Sequence, residues 1–162
     1  MNERRKLINW MAGVTTFIVV LLIVIVLLDR EEDGVSLAAA SRTVALTLES
    51  GDGILENAPE ASNFDEDLSD QWYVKYMDYL YGQGYLDSGS VKADERSATS
   101  AVTYAVLSDW AKKASEEGKG ETDALLSYVD SGDRAKKAVS SENFWKFYDA
   151  FRAAVDPDRT VA

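Results

Sequence analysis

An unbroken run of twenty-two residues without a formal charge, Leu7 to Leu28, constrains this chain more than any other feature. As an α-helix rising about 1.5 Å per residue it covers roughly 33 Å, the thickness of a bilayer's hydrocarbon core. Fifteen of the twenty-two are Leu, Ile, Val or Phe, each favouring insertion by roughly 0.3–0.6 kcal/mol near the bilayer centre, which outweighs the cost of Asn9, Thr15 and Thr16. Leu7, Trp10, Phe17 and Leu28 belong to this expected anchor, and the lipid bilayer is its partner. Arg4, Arg5 and Lys6 precede it and the acidic run Asp29 to Asp33 follows. The positive-inside rule then puts residues 1–6 in the cytoplasm and the bulk of the chain outside the cell membrane. A cleaved signal peptide has an apolar core of about 7–15 residues followed at once by a small-residue cleavage site. This core is longer, and the nearest small cluster, Ala38 to Ala40, is displaced from it. A single-pass anchor is the expectation.

The whole chain carries −11, and setting aside Arg4, Arg5, Lys6 and Glu3 leaves −13 on residues 29–162. Nucleic-acid binding depends on clustered Lys and Arg that neutralise many phosphates, so nucleic acid is excluded as a partner. The chain has no Cys and no His. Disulfides, thiolate chemistry, Cys-based metal sites and Ser-His-Asp triads are excluded with them. An outer domain of this size without disulfides must rely on its packed core.

After a linker at residues 29–35, the pattern predicts an all-α domain over residues 36–162. Ser36 to Leu48 reads as a helix capped by Ser36, with Leu37, Val44 and Leu48 on one face. Glu49 to Asp67, with Gly51, Gly53, Pro59 and many carboxylates, reads as an exposed loop. Trp72, Tyr73, Tyr76, Met77 and Leu80 share a helical face over Ser69 to Tyr81, with Lys75 and Asp78 pointing away, and Gly82 and Gly84 end that helix. A turn-rich connection leads to a helix over Thr99 to Ala114, capped by Ser97 or Thr99 and striped by Val102, Val106, Leu107 and Trp110. A short helix over Thr122 to Val129 follows a break at Glu116 to Gly120. The last helix spans Ser141 to Val155, with Phe144, Phe147, Tyr148, Phe151 and Val155 on a narrow face and Pro157 beyond its end.

The parts of the middle region recur as a unit. Trp72-Tyr73-Val74-Lys75-Tyr76 starts it, Gly84-Tyr85-Leu86-Asp87 turns it, Val91-Lys92-Ala93-Asp94 extends it, and Ala98-Thr99-Ser100-Ala101-Val102 opens a second helix. This layout, over about Gln71 to Ala114, resembles the S-layer homology module, with its Trp-led helix, Gly-containing turn, F-x-P-like strand and I-T-R-A-E helix start. Ser36 to Ala40 is similar to the second helix of a preceding copy, and Asn143 to Tyr148 to the first helix of a following one. The resemblance implies three modules packed as a pseudo-threefold helical prism. It also implies non-covalent binding of acidic cell-wall polysaccharide, with ligand contacts near Asp87, Thr99 and Ser100. Ser100 and Val102 stand where that motif carries Arg and Glu, and Ala93 where Pro is usual.

Trp72 to Asp87 and Phe144 to Phe151 are also similar to the spacer of membrane-anchored proteins related to stage II sporulation protein D. That likeness implies a non-catalytic anchor and spacer for a peptidoglycan-cleaving domain beyond Ala162.

Five of the eight tyrosines lie between Trp72 and Tyr85. The helical spacing assigns Trp72, Tyr76 and Leu80 to the core and leaves Tyr79, Tyr81 and Tyr85 as the surface candidates for stacking on sugars. No carboxylate pair is singled out for acid–base work on glycans. Asp65, Glu66, Asp67 and Asp70 do not match the spacing of a calcium loop. No catalytic residue, metal or cofactor is expected. The expected role is that of an envelope protein whose outer domain binds or positions against cell wall or another envelope protein.

Overall fold

The computed structural model describes residues 2–28, 34–118 and 120–158, and the chain divides into two units, residues 1–33 and 34–162. The expected linker residues Asp29 to Asp33, Lys119 and the chain end from Arg159 lie outside the described residues.

In the first unit, helix α1 (Asn2–Leu28) begins ahead of the apolar run, so Arg4, Arg5 and Lys6 form its opening turns. Leu7, Trp10 and Phe17 are exposed. The hydroxyls of Thr15 and Thr16 donate to the carbonyls of Met11 and Ala12 at 2.9 Å each, satisfying these polar groups inside the helix as a lipid environment requires. The described residues contain one helix long and apolar enough to cross a membrane, and it is N-terminal.

The second unit is helical: α2 (Leu37–Leu48), α3 (Gly51–Glu56), α4 (Val74–Gly82), α5 (Glu95–Thr99), α6 (Tyr104–Glu117), α7 (Asp123–Val129) and α8 (Ser141–Val155). Its framework is a ring of three short extended segments, each leading into a long helix. Gly34 pairs with Ser140, Ser36 with Ala101, and Thr103 with Ala138. The amide of Val102 donates to the carbonyl of Val35, and that of Val139 to the carbonyl of Val102, both at 2.9 Å. The ring delivers Ser36, Thr103 and Ser140 to the N-caps of α2, α6 and α8. Ser36 and Ser140 accept from the amides three residues on, at 3.2 and 3.3 Å, satisfying donors that the first helical turn leaves open.

Beyond the ring, the amphipathic faces meet in one core. Trp110 of α6 lies against Phe147 of α8, with ring centroids 6.3 Å apart, and Phe147 against Phe151 at 5.8 Å. Val44 of α2 and Met77 and Leu80 of α4 are fully buried with them. Gly84 closes α4 at φ +77°. Its amide bonds Tyr81 and that of Tyr85 bonds Leu80, at 3.2 and 2.8 Å, the paired C-terminal bonds that glycine allows.

Three boundaries differ from the sequence pattern. The expected loop at Glu49 to Asp67 contains α3, because Ser50 accepts from the Gly53 amide at 3.1 Å and Ile54 is buried. The helix expected from Ser69 starts at Val74. Gln71 bonds Leu68 and Val74 bonds Gln71, a three-residue turn geometry that shifts the helical phase and leaves Trp72 51% exposed instead of in the core. The helix expected from Thr99 is split. Asp94 caps α5 by accepting from the Ser97 amide at 2.7 Å, while the carbonyl of Ser100 and the amide of Val102 are taken by Leu37 and Val35.

Asp78, expected on the polar face, is buried. It accepts from the Ser62 hydroxyl at 2.5 Å, the Asn63 amide at 2.9 Å and the Asn63 side chain at 3.1 Å, pinning the preceding loop to α4. Asp78→Ala is expected to lower the unfolding free energy by about 1–3 kcal/mol, since it removes three hydrogen bonds to a charged acceptor and frees the loop they hold. Lys75→Ala, on the exposed side, is expected to change it by less than about 0.5 kcal/mol. Urea denaturation of the full chain in nonionic micelles compares the two, and equal losses would refute the latch.

Candidate functional site

Tyr79 and Tyr85, expected at the surface, are 5% and 4% exposed. Tyr79 lies on the core face of α4 because the helix phase is set by its start at Val74. Tyr85 follows the Gly84 turn directly, which swings its ring edge-on against Phe151 at 6.1 Å, with its hydroxyl 3.4 Å from Glu117. Tyr81 is half-buried and donates to the Val91 carbonyl at 3.0 Å. Burial, then the charge of Asp78, pushes the Tyr81 hydroxyl up to about 12. Burial, then Glu117, pushes Tyr85 up as well. The rings of Tyr79 and Tyr85 are buried in the core and offer no open face for sugar stacking, while Tyr81 is held at its hydroxyl.

Asp87, Thr99 and Ser100 are exposed, yet their polar atoms are engaged locally. Asp87 accepts from the Gly89 amide at 2.9 Å. The Thr99 hydroxyl donates to the Glu95 carbonyl at 2.8 Å and that of Ser100 to the Arg96 carbonyl at 2.6 Å. Ser100 borders a cleft of about 420 Å³ at the junction of α2, α5 and α6, where Lys92 and Arg96 are matched by Asp94 and Asp109. Burial, then Asp87, raises the Asp109 carboxyl above its ordinary value.

A second cleft, of about 450 Å³, opens between α2 and α8 and was not legible from sequence spacing. Arg42 and Thr43 reach it from α2, Tyr148 and Arg152 from α8, and Trp72 from the turn ahead of α4. No carboxylate lines it. The Arg42 guanidinium lies over the Tyr76 ring at 5.9 Å, and Tyr76 in turn is 6.5 Å from Trp72. Thr47 and Tyr148 share a hydroxyl bond of 2.8 Å across its floor. The two ion pairs among the described residues, Lys113–Glu117 and Lys146–Glu142, involve neither Arg42 nor Arg152. This arrangement presents two guanidiniums beside an exposed aromatic face, suited to an anionic ligand. One signal was available in the sequence: Arg42 is the single charged residue of α2.

Among the described residues no group of three or more carboxylates is placed to hold a metal ion. Comparison with family models, curated proteins and solved structures returns no match.

Tyr73, Tyr79, Tyr81, Tyr85 and Tyr128 all have their hydroxyls raised, each chiefly by burial. Because the unfolded chain, with tyrosines near 10, releases protons first as pH rises, their contribution to stability is whole below about pH 10. It is lost as pH climbs through the folded values. Absorbance at 295 nm and near-ultraviolet circular dichroism followed together are expected to show a late tyrosinate phase coinciding with unfolding. Full ionisation near pH 10 with native dichroism intact would contradict the burial described.

Proposed function

We propose that this chain is a single-pass cell-envelope protein, anchored by α1, whose outer helical domain binds or positions against the cell wall. The observation that carries this reading is the exposed apolar surface of α1 behind Arg4, Arg5 and Lys6, a combination that favours insertion with the N-terminus inside. The ring of extended segments supports an S-layer homology-like arrangement. Val35-Ser36, Val102-Thr103 and Val139-Ser140 stand at three equivalent helix starts, and each resembles the I-T of the module's motif. The middle copy is then in a register four residues later than Ala98-Thr99. In this register the motif's Arg and Glu positions hold Leu37 and Ala39, Tyr104 and Val106, and Ser141 and Asn143. Any wall contact therefore falls to other residues, and the arginine cleft between α2 and α8 is the one that the charge distribution favours.

The loss of charge at all three motif starts favours a second reading, in which the region is the non-catalytic spacer of a peptidoglycan-cleaving protein similar to stage II sporulation protein D. Reading the encoding frame past residue 162 separates the two: a following catalytic domain supports the spacer, and a stop codon removes it.

For the first reading, the protein is expected to resist carbonate extraction from membranes and to lose its C-terminal bulk to protease added to intact protoplasts. It is also expected to co-sediment with purified wall sacculi. Release by carbonate, or full protection from external protease, would overturn the anchored topology. Absence from the sacculus pellet at low and moderate salt would overturn the wall contact.

A further inference from the structure

The helical domain, residues 34–162, carries −10, since Asp29 to Asp33 account for −3 of the −13 after α1, yet the cleft between α2 and α8 is lined by Arg42 and Arg152 with no Asp or Glu among its walls. Among the described residues neither guanidinium is engaged in an ion pair, and Arg152 also borders an adjoining hollow that holds Glu121 and Asp156. Concentrating unspent positive charge in one hollow of an acidic domain creates a local site for an anion, while the surrounding field repels anything densely negative. Polyphosphate-like polymers, nucleic acid and strongly anionic bilayers are therefore poor occupants. A ligand with one isolated oxyanion is not.

The remaining walls narrow the body that carries this anion. Glycan sites ordinarily need acceptors for the several hydroxyl donors of each ring, and this cleft has no carboxylate and no side-chain amide. Its hydroxyl protons are committed, leaving hydroxyl lone pairs as the only side-chain acceptors: Thr43 donates to the Ala39 carbonyl at 3.0 Å, and Thr47 donates to that of Thr43 at 2.8 Å while bonded to the Tyr148 hydroxyl at 2.8 Å. Beside the cations stand Ala39, Leu46 and the open face of Trp72, which suit small apolar side chains. Two guanidinium forks, a small apolar wall and few acceptors match the free carboxylate end of a short peptide.

We propose that the Arg42–Arg152 cleft captures the C-terminal carboxylate of a short, small-residue peptide, such as the peptide stems that a wall presents. The carboxylate lies between the guanidiniums, and its terminal methyl groups pack on Trp72 and Leu46. This rests on the envelope reading for where such peptides are met, but the binding chemistry is independent of it.

The test uses the full chain in nonionic micelles, with the indole N–H signals followed by nuclear magnetic resonance and that of Trp72 assigned through Trp72→Phe. The probes are acetyl-alanyl-alanine in its L,L and D,D forms, the corresponding C-terminal amides, galacturonate and inorganic phosphate. Saturable movement of the Trp72 signal with the free acid of either form is expected, with the amide at least about tenfold weaker, as loss of a charge-assisted pair implies. Arg42→Gln and Arg152→Gln are each expected to weaken binding roughly tenfold with dichroism unchanged, and Lys136→Gln, which removes an equal charge elsewhere, to leave it within about twofold. Equal binding of acid and amide, tighter binding of galacturonate or phosphate, indifference to both arginine variants, or no movement with either peptide would each overturn the proposal. Peptide binding in micelles together with failure to co-sediment with sacculi sustains this cleft chemistry while removing the wall contact. Sacculus binding that survives both arginine variants in the absence of peptide binding does the reverse.

Discussion

The backbone ring formed by residues 34–36, 100–103 and 138–140 is the constraint on which the helical domain depends. None of these segments is long enough to make a sheet, but each has amides and carbonyls that burial requires to be paired. Pairing them with one another ties the starts of α2, α6 and α8 to one point. That convergence also gathers three helix N-termini with their partial positive charge, which the hydroxyls of Ser36 and Ser140 help to offset by accepting first-turn amides. Val102 and Val139 are fully buried at this junction, so hydrogen bonding and apolar burial fix the same geometry.

The three junctions made by the ring are filled differently, and this determines where ligands have room. Between α6 and α8 lies α7, with Leu125 buried and Tyr128 edge-on to Phe147 at 5.2 Å. The α2–α6 junction keeps a cleft whose cations are balanced by Asp94 and Asp109. At the α2–α8 junction the wall is completed by Trp72, which reaches it because the residues before α4 are turns instead of helix. One departure from helical phase thus both removes an aromatic from the core and supplies the open face of the charged cleft.

Helices whose own residues decide their limits were legible in the sequence. α8 runs from Ser141 to Val155 as its aromatic spacing and the Pro157 stop imply, and α2 follows Ser36. Misreadings fell where distant backbone decides. Thr99 looks like an N-cap, but Asp94 and Thr103 flank it as equally good ones, and the choice between them is made when Val35 and Leu37 draw Ser100 and Val102 into the ring. Asp78 looks solvated until Ser62 and Asn63 fold over it. Periodicity could not sort the tyrosines, because a crowded aromatic run offers several faces and the position of the first helical turn selects one. Arg42 and Arg152 lie too far apart in the chain for any spacing rule to join them.

The proposed cleft contact, with a single carboxylate, suits a protein whose retention is supplied elsewhere. At about 0.15 M salt, charges interact over roughly 8 Å, so the −10 of residues 34–162 is felt near the domain's own surface and largely screened beyond it. An isolated carboxylate meets little repulsion until it is close, and there the two guanidiniums dominate. A dense polyanion would bring its further charges within reach of the acidic surface around the cleft and lose what the arginines gain. On the envelope reading proposed above, α1 in lipid holds the chain far more firmly than one carboxylate contact does. On that reading the cleft contact forms and releases while the anchor persists, orienting the domain without fixing it, and this division of labour follows from an apolar α1 and a cleft in which two arginines face no carboxylate.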